Sequence, residues 1–280
     1  RGTPHVREAT RAKVLEAAER LGYKPNPLVS VLMTQVRSKR LREGAHRLGW
    51  IYFEPDTENE IIFQYYLRGA RERAHELGFE IDPFRVDAGV TPTRLREILL
   101  ARGIRGLLIS PTRTPHLDPG FDFEGFAAVV FGYSMNAPNL DCVTSHHTAN
   151  QSMLLEKLRE KGYRDILYIV QPWMEERINY GWWAATMAFQ QRHAAGIRVR
   201  IMSREEAFAV LRRPKKDEFP DAVVFNRESA ESVLAPLGLR APDDIGFASQ
   251  SVELAGEGMA ELSGTDQRSR KIGACAVEQL

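Results

Sequence analysis

The sequence predicts an α/β protein built on mostly parallel sheet, and three observations predict it. Short runs dense in Val, Ile, Leu, Tyr and Phe recur without strict alternation, which is how strands buried on both faces read. Amphipathic helical stretches separate these runs. A glycine followed by an apolar residue then closes one helical stretch after another, at Gly22-Tyr23, Gly78-Phe79, Gly103-Ile104, Gly162-Tyr163, Gly196-Ile197 and Gly238-Leu239. Glycine tolerates the left-handed conformation that ends a helix, and the apolar residue packs back onto the last turn. Alternating strands and helices imply right-handed crossovers and an open, mostly parallel sheet. Whether there is one such sheet or two stays open at this level.

In order, the predicted strands are Leu48–Phe53, Gly106–Ser110, Ala127–Phe131, Asp165–Val170, Asp221–Asn226 and Asp244–Ala248. The helix over Tyr66–Leu77 places Leu67, Ala70, Ala74 and Leu77 on one face, with Arg68, Arg71, Glu72 and Glu76 elsewhere. Further helices are predicted over roughly 92–102, 148–161, 178–194, 203–213, 228–236 and 267–280. The first 46 residues differ. Thr10–Leu21 is a helix with Val14, Leu15, Ala18 and Leu21 on one stripe. A dozen residues cannot bury that stripe alone, so partner helices are needed, and the chain is expected to be truncated at its N-terminus. Lys24-Pro25-Asn26-Pro27 forbids helix continuation. Leu28–Val36 is a short apolar stretch, and Arg37-Ser38-Lys39-Arg40-Leu41-Arg42 is a basic link to the first strand.

The chain has 280 residues, long for one domain and comfortable for two. With 43% apolar and 9% aromatic residues it can bury large cores, which excludes wholesale disorder. No apolar run approaches the ~18 residues of a membrane span, and no basic-then-apolar leader opens the sequence. Two cysteines, Cys142 and Cys275, make no disulfide framework and suit a reducing cytosol. The net charge of +1 hides a split: residues 1–47 carry 11 Lys and Arg against 4 Asp and Glu, the remainder 27 against 33. A basic head on a mildly acidic body is the asymmetry expected where one end meets a polyanion, although basic tails also serve solubility.

The segment TRAKVLEAAERLGYKPNPLVSVLM resembles the lactose-repressor (LacI/GalR) family of bacterial transcription regulators. The family's DNA-binding headpiece ends in a helix reading T-R-x-x-V-x-x-A-x-x-L-G-Y-x-P-N. Thr10, Arg11, Val14, Ala17 (or Ala18), Leu21, Gly22, Tyr23, Pro25 and Asn26 match it in register. The resemblance continues through GLLIS, VTSHHTANQSMLLEKLREKGYRDILYI, DAVVFN and GTDQRSRKIGACAVEQL. It implies a two-lobed, periplasmic-binding-protein-like effector domain with parallel sheets, preceded by the remnant of a helix-turn-helix headpiece and a hinge helix. The implied boundaries are 1–24 for the headpiece remnant, 25–46 for the hinge and linker, and 47–280 for the effector and dimerisation domain. Within the last, one lobe takes about 47–146 plus 266–280 and the other about 147–265.

The same resemblance implies partners and site residues. Operator DNA, a homodimer mate and a small-molecule effector, a saccharide or its derivative, are the implied partners. Leu32 stands where the family wedges a leucine into the minor groove, an insertion that unstacks a base step and bends the duplex. The other reading of Leu32 is one more apolar residue on a short helix. Val29-Ser30 replaces the family's frequent Ala-Arg before that leucine, so Arg37, Lys39 and Arg40 are the candidates for phosphate neutralisation. For the effector, Asn226 matches the family's pocket asparagine, followed here by Arg227 instead of the usual Asp. Ser110, ending GLLIS, stands at a frequent polar contact. Arg177 lies near the family's effector arginine, one residue further than usual from Gly181. Ser251 or Gln250 is nearest to the missing aspartate after DIGFAS. Trp173 follows the strand DILYIV at a strand-end crevice, where an aromatic face either stacks on a sugar ring or packs on protein.

Enzyme chemistry is not expected. There is no Gly-x-Ser-x-Gly elbow and no phosphate-binding Gly-Lys-Ser loop. Gly256-Glu257-Gly258 lacks the third glycine and the strand–turn–helix context of a dinucleotide loop. His146-His147 has no Cys or carboxylate at ligand spacing, so neither a metal nor a cofactor is expected. The rival reading is a solute-binding protein that delivers a sugar to a transporter, because the fold alone does not fix function. Such a protein needs an export signal and has no use for a basic, proline-exited helix. The cytoplasmic regulator is the favoured reading.

Overall fold

The first strand, β1 (His46–Tyr52), enters exposed at its first two residues and is buried from Leu48 onward. Its alternation divides two cores: Leu48, Trp50 and Tyr52 join one cluster, while Ile51 and Phe53 join another on the opposite face. The computed structural model describes residues 20, 46–135, 140–212, 219–226, 230–255 and 263–280. Two compact units divide the chain, Arg1–Ala45 and His46–Leu280. The architecture below belongs to the second. The helix at Thr10, the hinge, Leu32, Arg37, Lys39 and Arg40 lie outside the described residues.

Two parallel sheets form. In the first lobe, β1 is flanked by β2 (Phe79–Arg85) and β3 (Gly106–Ile109), followed by β4 (Ala127–Phe131) and β5 (Asp141–Val143), in the order β2-β1-β3-β4-β5. Trp50 stands beside Leu108, and Leu108 beside Val129. In the second lobe the order is β7-β6-β8-β9, with β6 (Asp165–Ile169), β7 (Arg198–Met202), β8 (Ala222–Phe225) and β9 (Gly246–Ser249). Tyr168 pairs in register with Val224.

Three strands escape the apolar-run criterion, namely β2, β5 and β7. All three are edge strands, and their sequences FEIDPFR, DCV and RVRIM mix charge with apolar residues because none is buried throughout. Pro83 sits in β2, where a missing ladder donor costs little. β9 is also at an edge yet wholly buried. Its outer side is covered by a returning segment, with Ser249 N–H donating to the Ser263 carbonyl at 2.8 Å and Thr265 N–H to the Ser249 carbonyl at 2.9 Å.

The helices α1 (Ile61–Glu76), α2 (Pro92–Ala101), α3 (His147–Glu160), α4 (Pro172–Arg177), α5 (Gly181–His193), α6 (Arg204–Arg212), α7 (Ala230–Leu234) and α8 (Ser269–Gln279) cover the sheet faces. Thr91 caps α2 by accepting from Arg94 N–H at 3.2 Å. The helix expected over 178–194 is α5, beginning at Gly181, and a short helix the sequence reading lacked, α4, precedes it. Asn179 and Tyr180, at φ 53° and 56°, separate the two. Gly162 ends α3 at φ 97° as the sequence leads one to expect, whereas Gly196 follows α5 without positive φ.

Helix α8 returns the chain to the first lobe and packs along α1. The crossing is built on Gly69 and Gly273. A Cβ on Gly69 meets the Arg270 carbonyl oxygen at 1.8 Å, and one on Gly273 meets the Tyr66 carbonyl oxygen at 2.0 Å. Backbone therefore lies on backbone, and this contact sets the distance between the two helices.

Candidate functional site

The carboxyl ends of strands from both lobes face one cavity of about 70 Å³. From the first lobe come Pro111 after β3, Gly132, Tyr133 and Ser134 after β4, Thr144 after β5, and Phe63 and Tyr66 from α1. From the second come His147 at the start of α3, Met174 and Arg177 from α4, Trp182 from α5, Asn226 after β8 and Ser251 after β9. Crevices at strand carboxyl ends are where open α/β folds hold ligands. The enclosed space is smaller than the ~300–1,000 Å³ of most small-molecule sites. An occupant the size of a sugar therefore enters only if the lobes part or the side chains between them move.

Several buried polar groups in this wall have no hydrogen-bond partner among the described residues. They are Asn226 Oδ1, Ser251 Oγ, His147 Nδ1 and Trp182 Nε1. Asn226, Ser251 and Trp182 are 4%, 2% and 3% exposed. A buried polar atom left unsatisfied costs ~1–3 kcal/mol, so four on one small cavity mark a place built for a polar occupant.

Arg177 is the one side chain of permanent charge among the described lining residues. Its guanidinium carbon lies 5.6 Å from the ring centre of Phe63 and 5.6 Å from that of Trp173. The cation thus touches an aromatic face from each lobe. The nearby acid Glu175 is turned away into the core. It accepts from the Tyr168 hydroxyl and from Trp183 N–H at 3.2 Å. Burial pushes its carboxyl above the usual carboxylate range, against the pull of those two hydrogen bonds. That carboxylate ties α4 to the start of α5 and so fixes the break that aims Arg177 and Trp182.

His147 packs its ring edge-on against Trp182, 5.5 Å between centres at 88°, with Nε2 3.4 Å from Thr144 Oγ1. Burial first, then the charges of His146 and Arg177, lower its pKa to about 4. At neutral pH it presents one N–H and one acceptor. Behind the cavity, Gln250 Nε2 donates to Gln151 Oε1 at 2.9 Å and Gln151 Nε2 to Thr186 Oγ1 at 3.0 Å. The Gln250 carbonyl accepts from Thr265 Oγ1 at 2.8 Å and Gln267 Nε2 at 2.6 Å. These bonds hold the crossing segments together.

Of the effector residues expected from the sequence, Arg177, Asn226 and Ser251 line the cavity. Ser110 and Trp173 do not. Ser110 is buried, 1% exposed, with Oγ unpartnered among the described residues. Trp173 is 44% exposed on α4, backing Arg177 and not facing the cavity. Sequence reasoning did not find Trp182, Gln267, Phe63 and Tyr66, which sit inside ordinary helical patterns or connections. The sequence suggests no ligand role for His147, which the structure places in the cavity wall.

No family model and no curated protein matches the chain. Solved structures do. The lac repressor bound to ONPG in the repressed state superposes with a TM-score of 0.61 at 17% identity, covering 99% of this chain and 84% of that one. A LacI-family regulatory protein from Chloroflexus aggregans gives 0.65 at 18%, covering 83% and 88%. The trehalose repressor from Escherichia coli gives 0.59 at 15%, covering 85% and 92%. The fold is that of the LacI-type regulators. In this LacI-type fold the cavity occupies the cleft between the lobes. No helix among the described residues is long and apolar enough to cross a membrane.

Proposed function

We propose that the chain is a DNA-binding transcriptional regulator of the LacI type, a cytoplasmic repressor whose operator affinity is set by a small ligand held in the interlobe cleft. The observation that carries this reading is the set of orphaned polar atoms on Asn226, Ser251, His147 and Trp182, converging from different segments on one cavity. A cleft closed by two lobes binds its ligand better in one lobe arrangement than in another, and that difference is what an effector needs to shift an equilibrium. The ligand is a saccharide or a derivative: amide and hydroxyl groups pair with sugar hydroxyls, and Phe63, Tyr66 and Trp182 supply ring faces. Residues 1–24 act as the end of a helix-turn-helix headpiece and 25–46 as the hinge. A homodimer brings two hinges onto a pseudo-palindromic operator, Leu32 wedges the minor groove, and Arg37, Lys39 and Arg40 neutralise phosphates.

The solute-binding alternative shares the cleft but not the DNA. The match at residues 10–26 and the basic residues beyond it favour the regulator. Gel retardation over a salt series tests it, using the full-length protein on genomic fragments. A specific fragment is retained, and Lys39→Ala lowers the salt slope by about one unit. Loss of all sequence preference in the intact protein would refute the regulator reading and leave the transport reading.

A further inference from the structure

We propose that helix α5 carries a self-association surface. Its outer face pairs antiparallel with the same face of a second copy of this chain, and Trp183 of each copy packs on Met187 of the other.

From Ile178 to Gln191 the chain carries no Asp, Glu, Lys or Arg. A surface helix ordinarily turns charge away from the core, as α3 does with exposed Lys157 and Glu160. Helix α5 buries one face through Trp182, Ala185, Thr186 and Phe189. Its opposite face is apolar as well, with Trp183, Ala184, Met187 and Ala188 exposed. Tyr180, Trp183 and Met187 remain 47%, 44% and 55% exposed. They form one patch. The rings of Tyr180 and Trp183 lie 6.1 Å apart between centres, and Trp183 and Met187, four residues apart, adjoin on the helix surface. Single apolar residues at a surface need no partner, but a contiguous patch marks an interaction site, and a helix apolar on both faces belongs in an interior.

Shape, charge and area together identify the occupant as a second copy. Tyr180, Trp183 and Met187 recur three and four residues apart, the spacing of a helix-pairing seam, and Ala184 and Ala188 beside them leave room for a facing side chain. An antiparallel pair crossing midway between Trp183 and Met187 seats each indole on a thioether, a favourable contact. One patch that matches itself is what a two-fold axis requires. The ends agree. Glu176, just before α5, and Arg192, in its last turn, are exposed, and each meets its nearest opposite charge only at 3.9 Å, on His116 and Glu156. Antiparallel pairing brings the acidic end of one copy to the basic end of the other and opposes the helix dipoles. An aromatic side chain buries ~150–250 Å² when fully covered, so three half-exposed side chains and two alanines offer roughly 300–400 Å² per copy. A stable interface takes about 800 Å² per partner, so this contact alone is weak and reversible. It is independent of the hinge pairing proposed above and turns monomers into dimers or dimers into tetramers.

Sedimentation velocity of the purified chain over about 1–300 µM, a range suited to a small interface, is the test. The mass of the wild type rises with concentration, and Trp183→Lys and Met187→Glu each weaken that association ten-fold or more. Both side chains are exposed, so thermal melting of the variants stays at the wild-type value. An equimolar mixture of the two variants recovers association that neither shows alone, because lysine and glutamate then face each other across the pair. Should either variant melt lower than wild type, Ala184→Glu on the same face replaces it. A wild type that sediments like its variants at every concentration overturns the proposal and assigns the face to a different partner. Association that survives both substitutions overturns it as well. A mixture that recovers nothing overturns the antiparallel register. None of these outcomes depends on DNA or on a ligand, so the regulator reading stands or falls separately.

Discussion

The guanidinium of Arg177, from the second lobe, rests 5.6 Å from the ring centre of Phe63 in the first lobe. This contact spans the cleft, beside a cavity of only about 70 Å³. It therefore opposes any parting of the lobes that would admit a sugar-sized occupant. Replacing Phe63 by Leu keeps the apolar volume and removes the ring face. We expect the opened arrangement to gain population and the ligand association rate to rise several-fold, because a cation–π contact of this kind is worth about 0.5–2 kcal/mol. Stopped-flow association measures it, and an unchanged on-rate shows that the contact does not gate entry.

The helix pair α1–α8 makes a second prediction. Because the missing Cβ atoms of Gly69 and Gly273 are replaced by main-chain carbonyls at 1.8 and 2.0 Å, no rotamer change relieves an added methyl. Gly273→Ala must push the helices apart and open the core around Leu67, Ala70, Ile272 and Ala276. Overpacking typically costs 1–3 kcal/mol, and rigid backbone on both sides puts this case at about 3 kcal/mol. Urea denaturation reads the loss. Gly78→Ala, where a Cβ meets nothing within 4 Å, costs only the strain of its φ of 82°.

His147 gives a pH prediction with a definite sign. Its pKa is lowered from 6.5 to about 4, chiefly by burial. Between those values the unfolded chain holds a proton that the folded chain refuses, so acidification destabilises the fold. The contribution is fully present above about pH 6.5 and declines as pH falls toward 4, by about 3 kcal/mol at most. Glu175 works in the opposite direction, since its raised pKa favours the folded state at low pH. The two separate in a variant. His147→Gln should lose less stability than wild type between pH 7 and 5 in denaturant titrations. Parallel curves would mean that His147 takes up its proton without penalty.

What the sequence makes legible follows burial. Strands buried on both faces, such as Leu107–Ile109 within β3 and Val223–Phe225 within β8, announce themselves as apolar runs. Edge strands do not, because Glu80 and Asp82 in β2 and Arg198 and Arg200 in β7 make ion pairs along the sheet edges and break the pattern. The site divides the same way. Asn226 is legible because it follows a strand, where the topology itself points to the crevice, and Ser251 only through the family resemblance, which left Gln250 as its alternative. Trp182 reads as one more apolar residue on a helix that is apolar around much of its circumference, and only the lobe arrangement reveals its unpartnered N–H. Trp173 misleads in the opposite sense. Its place after β6 suggested the crevice, but α4 begins at Pro172 and turns the ring outward.

Asn226 separates stability from function. Its Oδ1 is buried without a partner among the described residues, a condition that costs ~1–3 kcal/mol in the ligand-free protein. Asn226→Ala removes that penalty and opens only a small void, so the two effects nearly cancel and the unliganded melting temperature should stay level or rise slightly. The ligand, by contrast, loses the acceptor for its hydroxyl and keeps its own desolvation cost, which weakens binding roughly ten-fold or more. Most buried polar truncations destabilise a protein, so a variant that melts no lower yet binds its saccharide poorly is the mark of a group kept for a ligand. Thermal shift with and without the tightest-binding member of a panel of mono- and oligosaccharides reads both quantities. A fall of several degrees in the unliganded protein would show that Asn226 serves the fold instead.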